Sequence, residues 1–309
     1  VPGKLSETGK VLYTGSVVSH SLSHDNSILA LGTDDGMLEI YNVENWELLR
    51  KWKYDTKMTI GKISRDSRMI VGFTADWEIK LWSVQSGECL ITLSDAQEQS
   101  FSFSNDCSMF FACREDNHDA SLRIYDINSK ELTLEVQGLV DRALFSKDDS
   151  LIYINKTNTR DIQVWDVKTG KCLRVLTHAF DVIRFESLPS APERIISFTK
   201  KDEETQAAVG NIWDVNTGTL IKTLKCEGYV NDVCVSPDAK IAATSNMDTG
   251  KMHLRNLENG KILREFSWGI NTSITHDNQF VIQEVREVND TGMNLWKIQI
   301  FHVATGLEW

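Results

Sequence analysis

The residues in this chain with the chemistry for catalysis or metal binding are spaced in ways that do not favour either. Adjacent carboxylates occur at Asp34-Asp35, Asp148-Asp149 and Glu203-Glu204. A general acid–base pair needs two carboxyls facing one pocket in unlike environments. Neighbours within polar stretches read instead as solvated loop charges. His20 and His24 stand four apart, a spacing that lets two imidazoles share one helix face around a metal. Their surroundings read as a strand and its turn, so no metal site is expected there. Six cysteines, at positions 89, 107, 113, 172, 226 and 234, include no Cys-x-x-Cys pair. Several interrupt apolar strand patterns, as in Val233-Cys234-Val235, and read as buried reduced thiols of an intracellular protein. Gly-x-Ser-x-Gly, His-Glu-x-x-His and the phosphate-cradling Gly-x-x-x-x-Gly-Lys-Ser/Thr are missing. Thr169-Gly170-Lys171 imitates only the tail of the last and reads as a hairpin turn. No catalytic residue, metal or cofactor is assigned.

Residues suited to recognition are easier to find. Glu115, Asp116 and Asp119 fall in the stretch 114–120, and Asp202, Glu203 and Glu204 fall in 200–210. A third polar stretch, 286–293, mixes Arg286, Glu287 and Asp290. Tyr54, Trp77, Phe180, Tyr229 and Trp268 lie in or beside connecting segments, and Lys57 and Arg142 enter strands at comparable positions. Aromatic and arginine side chains dominate interface energetics once desolvated. These thirteen residues are the candidate contacts with a partner. The chain has 309 residues and a net charge of -11. That balance argues against nucleic acid, which needs basic surface, and suits a basic protein or peptide. No apolar run approaches the ~20 residues of a membrane span, and no signal peptide is visible. A cytoplasmic or nuclear location is expected. The start at Val1 rather than Met suggests a domain excised from a longer protein.

The elements that must position these residues repeat. A strand ending in an aromatic or long side chain followed by a polar one recurs seven times, centred on Tyr41, Trp82, Tyr125, Trp165, Trp213, Arg255 and Phe301, at steps of 40 to 48 residues. Tyr125-Asp126, Trp165-Asp166 and Trp213-Asp214 end this way most clearly. A second marker lies upstream in each repeat: a turn with Asp at 25, 66, 106, 148, 238 and 277. The fifth repeat breaks it with Phe185-Glu186-Ser187-Leu188-Pro189. Asp suits such turns because its carboxylate bonds nearby amides. Period-two alternation fills the intervals, while helical periodicity is not sustained. In the second repeat the strands are expected at Met58–Ser64, Met69–Thr74, Glu78–Val84 and Cys89–Leu93. A ~40–45-residue period of four strands marks propeller blades. The expected fold is all-β: one seven-bladed propeller of four-stranded antiparallel blades over 1–309. Its last repeat stops at a third strand, so Lys10–Tyr13 should supply the missing outer strand and close the ring.

With these anchors and turns the chain resembles the WD-repeat (WD40) family over almost its whole length. The family's Gly-His pair is eroded: Thr177-His178 keeps the His, while Gly15, Gly138, Gly228 and Gly269 stand alone. Its buried Asp, six residues before the Trp, is matched by Asp35 and Asp76, but Thr159 takes that place before Trp165. A His–Ser–Asp–Trp network is expected in the fifth repeat from His178, Ser197, Asp202 and Trp213. The resemblance implies a non-catalytic scaffold, adaptor or ligand-sensing domain that binds a protein or peptide on its loop-bearing face. The partner is either a separate chain or another domain of the same one. A narrower version is the autoinhibitory or sensor propeller of a large apoptosome-like or NACHT-type signalling ATPase. Rival readings are a hydrolase using the channel mouth and a structural spacer.

Overall fold

The computed structural model describes residues 17–25, 27–55, 57–75, 78–94, 96–114, 120–200, 207–227, 230–246, 248–267, 269–275, 277–288 and 294–305. Among them every regular element is a strand. The strands form seven antiparallel sheets in chain order, six of four strands and the seventh of three. The second sheet runs Met58–Ile63, Met69–Thr74, Ile79–Ser83 and Cys89–Leu93, within a residue of the bounds expected from its alternation. The expected closing strand at residues 10–13 lies outside the described residues. Backbone contacts divide the chain into two compact units, Val1–Leu139 with sheets one to three and Val140–Trp309 with sheets four to seven.

Each anchor residue sits at the penultimate position of its sheet's third strand. In all six four-stranded sheets the ladder to the fourth strand shifts register at that residue, as between Leu81 and Trp82 or Ile212 and Trp213. A bulge leaves one residue unpaired and sharpens the local bend. The polar residue after the anchor then ends the strand. Asn42, Ser83, Asp126, Asp166, Asp214, Asn256 and His302 each accept a backbone N–H two or three residues on, at 2.6–3.2 Å. The aspartates of the three Trp-Asp-like endings are therefore turn-formers. Their backbone amide partners hold the Asp126, Asp166 and Asp214 carboxyls below the usual range.

The Asp turn between first and second strands has one geometry in six sheets. A Ser or Thr hydroxyl donates to the Asp carboxylate at 2.6–2.7 Å. The same hydroxyl accepts the amide five residues on at 2.9–3.0 Å. The residue after the Asp takes a left-handed φ of 55–61° in five of these turns: Ser67, Cys107, Asp149, Ala239 and Asn278. Sheet five lacks the motif for a visible reason. Its first two strands, Val182–Leu188 and Ala191–Thr199, are joined through Pro189 and Ser190 alone.

Apolar side chains fill the space between neighbouring sheets within each unit. Trp82 packs with Ile40 and Ile70 between sheets one and two. Tyr153, Val164, Phe185 and Trp213 pack between sheets four and five. Phe198, Leu224, Val233 and Leu257 pack between sheets five and six. The first strands also bulge, and the residue after the bulge reaches the next first strand. Ser19 Oγ accepts the Ile60 amide at 2.7 Å. Lys62 Nζ donates to Ser102 Oγ at 3.2 Å. Asp232 accepts the Thr272 amide at 3.0 Å. Bulges re-aim side chains in this way, and here they tie sheet to sheet.

Candidate functional site

Antiparallel pairing puts two kinds of connection at opposite ends of every sheet. The Asp turns and the third-to-fourth turns share one end, the turn end. The second-to-third connections and the links to the next sheet share the other, the loop end, and vary in length. All thirteen candidate contacts lie in loop-end segments or next to them in sequence. Trp77, Glu115, Asp116, Asp119, Asp202, Glu203, Glu204, Tyr229 and Trp268 are outside the described residues. Tyr54, Lys57, Arg142 and Phe180 are described.

Tyr54 follows the fourth strand of sheet one, Leu48–Lys53, and is half-buried. Its ring lies 5.7 Å from that of Trp82, and its hydroxyl accepts the Trp82 indole N–H at 2.6 Å. Tyr54 thus supplies the partner that the Trp82 indole needs. Lys57 is exposed. Arg142 follows the bulge of its first strand, Val140–Phe145. Its guanidinium donates to the Phe185 carbonyl at 3.2 Å and to the Glu186 carboxylate, and lies 5.9 Å from the Phe185 ring centre. Arg142 is therefore one of the sheet-to-sheet ties. Phe180 is half-buried in the link from sheet four to sheet five.

Around Phe180 the loop end carries an ion cluster. Asp181 receives Lys200 Nζ at 2.9 Å and lies 3.9 Å from Arg160. Backbone bonds bind the same segments: Lys200 N–H to Asp181 O at 2.7 Å, and His178 N–H to Arg160 O at 2.8 Å. The ion pairs are solvent-exposed and contribute little individually, but the backbone bonds fix the loops. Sequence spacing carried no signal for this cluster, because its members come from three separate connections.

Beneath it lies the expected network of sheet five. His178, 5% exposed, places Nδ1 3.0 Å from the Arg160 carbonyl. A carbonyl only accepts, so Nδ1 carries the proton. Ser197 Oγ lies 2.7 Å from Nε2, and the Trp213 indole N–H reaches Ser197 Oγ at 3.1 Å. The chain of donors runs Trp213 to Ser197 to His178 to Arg160. Burial pushes the His178 pKa below its ordinary value. Asp202 is outside the described residues. Asp35 differs from a buried network member. It bonds Thr33, pairs with Lys53 at 3.2 Å and is 54% exposed.

Seven blade-like sheets with repeated turn chemistry and variable loops at one end define a repeat scaffold of the propeller class. The WD domain, G-beta repeat family model matches residues 218–250, from the sheet-five hairpin into sheet six. Eukaryotic translation initiation factor 3 subunit I of Culex quinquefasciatus is 26% identical over 186 residues, 55% of this chain and 55% of that protein. Apoptotic protease-activating factor 1 of Danio rerio is 25% identical over 134 residues, 42% of this chain and 10% of that protein. The matched stretches thus span about half or less of these relatives. The crystal structure of the computationally designed Ika8 protein has the same fold, with a TM-score of 0.70 at 16% identity, over 96% of this chain and 86% of that one. The chain is similar to WD-repeat proteins in these matches.

Proposed function

We propose that this chain is a non-catalytic protein-interaction domain, a scaffold or adaptor that recognises a protein or peptide at the loop end of its sheets. The observation that carries this reading is the contrast between the two ends. At the turn end six Asp turns repeat one hydrogen-bond pattern. At the loop end the connections vary in length and sequence, the pattern of binding loops displayed on a fixed frame. The name of the mosquito relative, a translation initiation factor subunit, fits work inside a multiprotein assembly. The acidic residues Glu115, Asp116, Asp119, Asp202, Glu203 and Glu204 favour a basic partner and would speed its encounter. The further proposed contacts are Tyr54, Lys57 and Trp77 in the first unit and Arg142, Phe180, Tyr229 and Trp268 in the second.

The similarity to an apoptotic protease-activating factor favours one second reading. There the domain belongs to a large signalling ATPase and its partner is another part of the same chain.

The test is capture of partners from extract, with identification by mass spectrometry. The unmodified domain is compared with a folded variant carrying Glu115, Asp116, Asp202, Glu203 and Glu204 as Lys. A partner held only by the unmodified domain supports the reading. Equal capture by both overturns the assignment to the acidic loops.

A further inference from the structure

The turn end of sheets four and five encloses a cleft of about 520 Å³. It lies where sheet five lacks the Asp turn. The two-residue connection lets the second strand begin at Ala191 and run for nine residues, against six in sheet four. Pro192 and Glu193 at its start form one wall. Leu151 and Val215 give the cleft apolar surface, and Asp148 and Glu193 bring carboxylates to it. Asp148 is held ionised first by the Ser146 hydroxyl, then by Ser150. Glu193 pairs with Arg194 at 3.3 Å in a solvent-exposed contact. Lys147 also lines the cleft, but its ammonium donates to the Pro189 carbonyl at 3.1 Å.

Tyr153 also lines the cleft. It is fully buried, and its hydroxyl has no hydrogen-bond partner among the described residues. Burial, reinforced by the Asp148 carboxylate, pushes its pKa up to about 12, so the hydroxyl stays neutral. A buried hydroxyl without a partner is costly and calls for an explanation. The walls suggest what would satisfy it. An aliphatic stem would lie along Leu151, Pro192 and Val215 of the lining. Tyr153, Asp148 and Glu193 of the same lining carry the oxygens that a terminal cation would use. A lysine side chain combines these two parts, a four-carbon stem and a compact ammonium with three donors.

We propose that this cleft receives a lysine side chain from a segment of a partner protein. The inference rests on the protein-interaction reading but not on the acidic loops, because the cleft lies at the opposite end of the sheets.

The probe is a set of immobilised heptapeptide pools, randomised around a fixed central Lys or a fixed central norleucine, which keeps the stem and lacks the charge. Capture of the labelled, unmodified chain is measured on both. The Lys pool is expected to capture it at least fivefold better. Tyr153→Phe and Glu193→Gln, each confirmed folded by circular dichroism, are expected to lower Lys-pool capture at least fivefold and to leave norleucine-pool capture unchanged. Equal capture by the two pools overturns the proposal, as does Lys-pool capture that survives both substitutions. In that case an ordered water satisfies Tyr153. A failure of the loop-variant experiment together with success here would retain a protein-binding domain and move its contact to the turn end.

Discussion

Tyr153 and Tyr41 carry the same hydroxyl in opposite circumstances, and deleting it from each should change stability in opposite directions. Tyr41 is 8% exposed and donates to the Glu39 carboxylate at 2.5 Å, while Lys51 holds the other Glu39 oxygen at 2.7 Å. Tyr153 packs its ring among Val164, Phe185 and Val215 and leaves its hydroxyl unbonded among the described residues. In Tyr153→Phe the ring stays and the unbonded group disappears. Such a group costs ~1–3 kcal/mol, and the low end of that range is the expected gain, about 1 kcal/mol. In Tyr41→Phe a hydrogen bond to a charged group is lost, worth ~1.5–3 kcal/mol. Unfolding entropy of about 2.1 cal/mol/K per residue makes 1 kcal/mol worth roughly 1.5 °C in a chain of this length. Calorimetry should therefore find Tm raised by roughly 1–2 °C in Tyr153→Phe and lowered by roughly 2–5 °C in Tyr41→Phe. A lowered Tm in Tyr153→Phe would show that the free protein already satisfies that hydroxyl, and would remove the reason for a ligand in the cleft.

Three other outcomes follow from the same contacts. The His178 pKa is lower in the folded protein than its ordinary 6.5, so the unfolded chain binds more protons below that pH. The contribution of His178 is complete above about pH 6.5 and erodes as pH falls toward the folded value. Urea midpoints taken from pH 7.5 to 5 should decline, and a His178→Gln variant should flatten the decline. The depressed Asp25, Asp148 and Asp166 carboxyls act lower, since their stabilisation is present above about pH 4 and lost as pH falls further. Acid unfolding followed by circular dichroism should therefore shift to higher pH in Asp148→Asn. Gly218 has a φ of +74°, and an added Cβ would lie 3.1 Å from Arg174 Cδ. Gly218→Ala should cost on the order of 1 kcal/mol in chemical denaturation.

The sequence announced the sheets because their determinants are local. An anchor such as Trp82 with Ser83 behind it marks a strand end, and a hydroxyl two residues before Asp66 marks a turn. Each works through hydrogen bonds within a few residues, so spacing alone reveals it. The break in sheet five was visible for the same reason, as Pro189 where an Asp turn belonged. Its consequence was not visible, because the cleft needs Val215 and Tyr153 brought together from strands some sixty positions apart. Arg142 shows the same limit. Its place near a strand start read as a binding position, and the ties of its guanidinium to Phe185 and Glu186 of the next sheet carried no local signal. The partners of the anchors were equally hidden. Trp82 uses Tyr54, Trp213 uses Ser197 and Trp165 uses Gln163. Only the Ser197 network was foreseen, through its resemblance to a family pattern.

Cross-linking mass spectrometry of the chain with a captured partner tests the central claim most directly. Lysines mark both ends of the sheets: Lys57, Lys156 and Lys200 at the loop end, and Lys147, Lys168, Lys240 and Lys261 at the turn end. Recognition by the loops predicts cross-links to the partner at Lys57, Lys156 or Lys200. Cross-links confined to the turn-end lysines would contradict it.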